Sequence, residues 1–342
     1  MSVAVIVGID MAKKSFTAAY RFGEAGNDWG DFTNEPAGYE ALHHHLTNLC
    51  EAEEITQIQL IVEATGGYEA ALLAYAYAQG WGVSMRGAPW APMRVRQWAQ
   101  GVGYRVKTDR VDARILAHYG VDCRPPLRPQ LAVEVTEMDS LLKRRLDLEQ
   151  ARQKEQTRLS ELANRPGISP KVQESLQQVI DALSDALAEI EQAIAELQQR
   201  HQPFVAEEQR LLPLPGVGPK VLWPLVVKLM QFHNLTSGQG DARGFVAFIG
   251  LDPQPHSSGS SVHKHPGISK MGDSELRRLL YMGALGAISG NNPLRTFYRR
   301  LLDRGKAKKV ALVAVARKLL VWAWTLFSRQ SQWNPDFHQI GA

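Results

Sequence analysis

The chain has 342 residues, 44% hydrophobic and 22% charged, which fits a globular protein of two or three domains and excludes a disordered or fibrous one. Its two cysteines, Cys50 and Cys123, lie far apart in no metal-ligand spacing, which argues against a disulfide framework or cysteine zinc site and makes a reducing cytoplasm the expectation. The net charge of +4 hides a division: residues 206–342 hold 18 Lys/Arg against 8 Asp/Glu, while residues 1–125 (11 against 14) and 126–205 (10 against 13) are acidic, so the last third is expected to face a polyanion.

Met-Ser-Val-Ala-Val-Ile-Val opens the chain without the basic flank or cleavage site of a signal peptide. Val3–Asp10 then reads as a β-branched strand ending in a carboxylate, and Ser15–Phe22 and Trp29–Thr33 as two more strands joined by a Gly-rich turn. A helix from Pro36 to about Cys50, the strand Gln57–Glu63, a helix Tyr68–Gln79 and the strand Gly82–Arg86 follow. This alternation predicts an α/β layer with a mixed sheet over residues 1–125. The triple His43-His44-His45 sits on a predicted helix, where consecutive residues diverge, and reads as helix surface rather than a metal tract.

Beyond the Pro-rich 124–129, residues 126–205 have the composition of long helices. Val172, Leu176, Val179, Leu183, Ala186, Ile190, Ala193 and Leu197 recur by fours and threes, widened by Leu187 and Ile194. That pattern predicts a coiled coil or helical hairpin, packed either within the chain or between copies. Residues 206–342 begin with Gly216-Val217-Gly218 between two helical patterns, either an ordinary interhelix turn or one whose amides meet a DNA phosphate. A helix around Phe245, a polar loop Asp252–Gly267 and helices Ser274–Ser289, Pro293–Arg304 and Lys308–Phe327 complete the chain. The apolar run Val310–Phe327 contains Arg317 and Lys318, so a buried helix and no membrane partner are expected.

Four acids are candidates for chemistry. Asp10 and Glu63 end predicted strands, and Asp109 and Asp112 stand at i and i+3, on one face if their segment is helical. Four converging carboxylates need cations, and hard oxygen donors suit Mg²⁺ or Mn²⁺, two of which can assist phosphoryl transfer. Trp90, Arg94, Arg96, Trp98, Tyr104 and Arg105 interleave aromatic and basic residues, as either a stacking and phosphate-binding surface or core tryptophans beside a site, and Lys107 and Arg110 are further candidates for nucleic-acid contact. In the last third Lys220, Lys264, Lys270, Arg277 and Arg278 are candidates for holding nucleic-acid phosphates. The polar run His256–Ser261 reads, on composition, as a flexible loop only.

Gly8-Ile9-Asp10 with Ala12-Lys13, Glu63-Ala64-Thr65-Gly66 and Lys107-Thr108-Asp109-x-x-Asp112-Ala113 resemble the DEDD transposases of bacterial insertion sequences. Leu214-Pro215-Gly216-Val217-Gly218, Phe245-x-x-Phe248-x-Gly250-Leu251-x-Pro253, Ser258-Gly259-Ser260-Ser261, Ile268-Ser269-Lys270-x-Gly272 and Leu276-Arg277-Arg278-x-Leu280-Tyr281 carry the resemblance through the second half. It implies a ribonuclease H-like, resolvase-type domain at 1–125, a helical coiled-coil middle at 126–205 and an α-helical transposase domain at 206–342. Asp10, Glu63, Asp109 and Asp112 would then be catalytic metal ligands and Ser258 the nucleophile. A structured guide (bridge) RNA, donor and target DNA, a homo-oligomer of two or four copies and a bacterial, nucleoid-associated location are further implications.

Three other readings use the same residues. A junction-resolving nuclease would need only the four acids, and a non-catalytic nucleic-acid-binding protein only the basic third. A sugar-kinase-like fold also opens with Gly-Ile-Asp, but Met11-Ala12-Lys13-Lys14-Ser15 lacks its small Gly/Thr phosphate turn.

Overall fold

In the computed structural model, residues 4–335 are described, apart from 24, 64–65, 87–90, 163–164, 255–256, 259–261 and 264–266. The chain divides into two compact units, Met1–Gln130 with His233–Gly240, and Leu131–Phe232 with Asp241–Ala342. Segments 126–205 and 206–342 therefore fall largely in one unit.

The first unit is a mixed five-stranded sheet built from β1 (Ala4–Met11), β2 (Ser15–Phe22), β3 (Ala25–Thr33), β4 (Gln57–Glu63) and β5 (Gly82–Arg86), with α1 (Pro36–Ala52) and α2 (Ala70–Ala78) between them. The strand order is β3-β2-β1-β4-β5. β1 runs antiparallel to β2 and parallel to β4, and β4 parallel to β5. β1 is hydrophobic at nearly every position because both its faces are covered. Val5, Val7 and Ile9 join Leu42, Leu46 and Leu72 of α1 and α2 in one core. Ile6 and Ile61 face the other way, into a smaller core made with α3 (Ala91–Gly101) and α4 (Asp109–Cys123).

The second unit is helical. α5 (Val133–Leu162) and α6 (Pro170–Arg200) pack as an antiparallel hairpin, followed by α7 (Gln202–Leu211), α8 (Pro219–Leu235, whose end passes into the first unit) and α9 (Ala242–Ile249). On α6 the buried positions are Ile180, Leu187, Ile194 and Leu197, while Val172 and Val179 are 44% and 45% exposed. The expected stripe is thus rotated: α5 covers its Leu187–Ile194 margin, and the Val172–Val179 margin stays in solvent. The C-terminal half of α5, rich in Gln, Arg, Lys and Glu, offers it little apolar surface.

The segment expected as a polar loop forms two short antiparallel ribbons, β6 (Pro253–Gln254) with β9 (Gly267–Ile268) and β7 (Ser257–Ser258) with β8 (Val262–His263). Ladder pairing needs backbone groups rather than apolar side chains, so composition did not reveal it. α10 (Ser274–Ala287), α11 (Pro293–Asp303) and α12 (Lys308–Arg329) close the unit. α12 is long and apolar enough to cross a membrane by length and composition, but its Val315, Leu319, Leu320 and Trp324 are buried in this unit's core.

Gly216 shows why the turn before α8 carries glycine. Its φ is +92°, and a Cβ there would lie 2.4 Å from the Gly283 carbonyl oxygen on α10. The turn is packed against a helix, which is a structural reason for its sequence.

Candidate active site

Asp10 and Glu63 each stand one residue beyond the paired Ile9 and Val62, at the carboxyl ends of two adjacent parallel strands. They share a sheet face with Gly8 and Ile61 because strand side chains alternate. α4 starts at Asp109, where the Thr108 hydroxyl accepts a hydrogen bond from the Val111 N–H at 3.3 Å. Asp109 and Asp112 occupy its first turn, where the helix dipole also favours negative charge.

α4 reaches Asp10 because its small residues let it lie on β1. A Cβ built on Gly8 would meet the Ala113 carbonyl oxygen at 2.0 Å and the Ala117 nitrogen at 2.4 Å. A Cβ on Gly120 would meet Ile6 Cγ2 at 2.4 Å, so the close approach continues down the helix. This contact is not evident in the sequence except through the small residues Gly8, Ala113, Ala117 and Gly120.

All four acids line one cavity of about 470 Å³, together with Arg96, Gln100, Tyr104, Arg105 and Lys107. Burial and then repulsion from Asp112, Asp109 and Glu63 raise the Asp10 pKa from 3.8 to about 6, against a smaller pull from Lys107. Burial, with repulsion from Asp112, also raises Glu63, and burial raises Asp112 despite Lys107 and Arg96 nearby. Among the described residues no three carboxylates, imidazoles or thiols are drawn tightly enough to hold a metal ion. Side chains of like charge sharing a cavity are expected to stand apart without a cation between them.

The basic candidates separate by environment. Arg96, Arg105 and Lys107 are exposed on the cavity, and Arg110 is exposed at the start of α4. Gln100, one helical turn after Arg96, also lines the cavity and was not anticipated; the i, i+4 spacing was its signal. Arg114 pairs with Asp28 on β3, away from the acids. Trp98 packs edge-on against His118 and Tyr119 and serves the small core, whereas Tyr104, which meets His118 Nδ1 at 3.2 Å, packs on that core and also lines the cavity. His43 contacts the Tyr75 hydroxyl at 2.9 Å, and the three adjacent histidines form no metal cluster. Trp90 and the side chain of Arg94 lie outside the described residues.

In the second unit Arg277 Nη1 donates to the Ile249 carbonyl at 2.9 Å. Arg278 pairs with Glu275, and the exposed Lys220 stands 4.0 Å from Glu149. Lys270 takes a left-handed conformation, φ +57°, and its N–H donates to Gly250 at the ribbon base. There the Ser269 hydroxyl also donates to the Asp252 carboxylate. The backbone of Ser258 pairs with Val262. Its side chain, and all of Lys264, lie outside the described residues.

A family model for DEDD-type IS110 transposases matches residues 7–165, a span that holds all four acids. A second, described as the transposase IS116/IS110/IS902 family, matches residues 208–299. A pilin gene-inverting protein of Moraxella bovis is 30% identical over 97% of this chain and 98% of its own length. The transposase for insertion sequence element IS1111A of Coxiella burnetii is 29% identical over 49% of this chain and 45% of its own. The transposase for IS1328 of Yersinia enterocolitica is 35% identical over 39% and 40%. With four acids on one cavity and relatives along its whole length, the chain belongs to the IS116/IS110/IS902 family of transposases and is an enzyme of DNA recombination.

Proposed function

We propose that this transposase cuts and rejoins DNA with Asp10, Glu63, Asp109 and Asp112 as ligands of Mg²⁺ or Mn²⁺ and Ser258 as nucleophile. The observation that carries the acidic half is the shared cavity, with the Asp10 pKa raised to about 6 by burial and by its three acidic neighbours. Four hard oxygen donors fit a divalent cation of this kind. When bound, such ions supply charge stabilisation to the attacking and leaving oxygens of phosphoryl transfer. Arg96 and Lys107, exposed on the same cavity, would hold the flanking phosphates. The mixed sheet, with acids at the ends of β1 and β4 and on α4, supports a ribonuclease H-like fold for this unit.

The assignment of Ser258 rests on the family resemblance. In the step proposed, a bond forms between its Oγ and a DNA phosphorus, and the departing sugar oxygen takes up a proton. The reverse attack by a sugar hydroxyl on the phosphoserine restores the serine and joins the new strand. Ser258 and the acids belong to different units, so both must meet the same DNA. A relative named for inverting a pilin gene favours this reading over a hydrolytic nuclease, because inversion requires every cut end to be rejoined. Recognition of donor and target DNA through a guide RNA, and action as a dimer or tetramer, are parts of the same proposal. The exposed Val172–Val179 margin of α6 is the surface offered for self-association.

Trapping tests it. Wild-type protein incubated with nicked, labelled element-end DNA and guide RNA should give a covalent adduct on Ser258 by mass spectrometry. Ser258→Ala should bind both nucleic acids and give none. Cleavage without any adduct would hand the reaction to water and to the nuclease reading.

A further inference from the structure

A dense cluster of positive charge lies at the corner between α11 and α12. Residues 295–309 hold seven Lys/Arg against one acid, Asp303. Arg299 and every residue from Asp303 to Val310 are exposed. Arg300 differs from the others: it is half-buried and lies over the Phe297 ring at 5.5 Å. Among the described residues, Arg295, Arg299, Arg304, Lys306, Lys308 and Lys309 take part in no ion pair, whereas Lys143, Arg158, Lys171, Arg200 and Arg278 all do.

The corner is also built against local stability. α12 begins with Lys308 and Lys309, two cations on the end of a 22-residue helix where the dipole is positive. Its N-cap is Ala307, which makes no side-chain cap hydrogen bond, where Ser, Thr, Asp or Asn would stabilise the start. A surface serving solubility alone would intersperse both signs and would not load the wrong helix end. Such departures from local rules concentrate at functional sites.

We propose that the α11–α12 corner, Arg295–Lys309, is a docking surface for the phosphate backbone of duplex DNA. Arg295 and Arg299 stand one helical turn apart, and the turn Arg304–Lys309 extends the positive surface past the end of α11. Phe297 and Tyr298 are half-buried against the unit's core, so the corner offers no open aromatic platform for unpaired bases. Contact through phosphates alone positions DNA without reading its sequence. This inference rests on the family's action on DNA and is independent of Ser258 and the acids.

The test uses the full-length protein with Arg299→Gln, Arg304→Gln, Lys306→Gln and Lys309→Gln combined, and fluorescence anisotropy with duplex DNA of arbitrary sequence. All four positions are exposed, and circular dichroism and thermal melting report whether the fold is kept. From about 50 to about 200 mM salt, the slope of log affinity against log salt should fall by about 0.9 per lost contact, about 3 to 4 in all. A control with the ion-paired Arg158, Lys171 and Arg200 changed to Gln should keep the wild-type slope. An unchanged slope in the first variant, an equal fall in the control, or a loss confined to duplex RNA would each overturn the proposal. If the combined variant melts early, Lys306→Gln alone should still lower the slope by about 1.

Discussion

Gly8 on β1 and Ala113 on α4 meet backbone to backbone: a Cβ on Gly8 would sit 2.0 Å from the Ala113 carbonyl oxygen. That contact carries Asp112, the residue before Ala113, to the end of the strand that bears Asp10. The cavity geometry therefore depends on a residue with no side chain of its own to contribute.

Gly8→Val should push α4 off the sheet. Overpacking of this kind costs on the order of 1–3 kcal/mol, and more where only backbone can give way. The variant is expected to melt several degrees lower and to lose metal binding beyond what its stability explains. Calorimetry beside Mn²⁺ titration measures both. Normal Mn²⁺ affinity would show that helix and strand do not need this approach.

Asp10 should make the metal-free protein pH-sensitive. Its folded pKa of about 6 lies above the ordinary 3.8, so its contribution to stability is complete below about 3.8 and is lost as pH rises through about 6. A rise of that size corresponds to about 3 kcal/mol. For a half-exposed group screened by solvent, about 1 kcal/mol is the expected share. Asp10→Asn should thus raise the melting temperature of metal-free protein at neutral pH while abolishing DNA cleavage. A lower melting temperature would mean that Asp10 is a structural acid.

The hairpin separates packing from association. Leu187→Ala should destabilise the second unit by about 2–4 kcal/mol, since Leu187 is buried between α5 and α6. Val172→Asp with Val179→Asp should change monomer stability little and, on the proposed self-association, lower the mass seen in sedimentation. An unchanged mass would leave that margin of α6 merely solvated.

Much of the first unit was legible because β1 and β4 are apolar runs rich in β-branched residues that lead to the carboxylates Asp10 and Glu63. The Lys107–Ala113 segment also announces a helix start through Thr108 and the acids after it. The second unit was harder to read. The apolar stripe of α6 is wide enough to offer two seams, and only the partner helix decides that Ile180, Leu187 and Ile194 are the buried ones. Charge in a sequence carries no direction: Arg277 and Arg278 are neighbours, yet one caps the Ile249 carbonyl and the other pairs with Glu275 on the surface. The Gly8–Ala113 approach joins residues a hundred positions apart, and their small size is visible only once the helix is laid on the strand.

The central claim is that Asp10, Glu63, Asp109 and Asp112 together bind the divalent metal that DNA cutting needs. Its most direct measurement is Mn²⁺ titration by calorimetry of the full-length protein and of four variants, Asp10→Asn, Glu63→Gln, Asp109→Asn and Asp112→Asn. The account predicts saturable binding to the wild type and a loss of at least tenfold in affinity for each variant, with melting curves at or above wild type for Asp10→Asn. Binding of equal strength in all five proteins would contradict it.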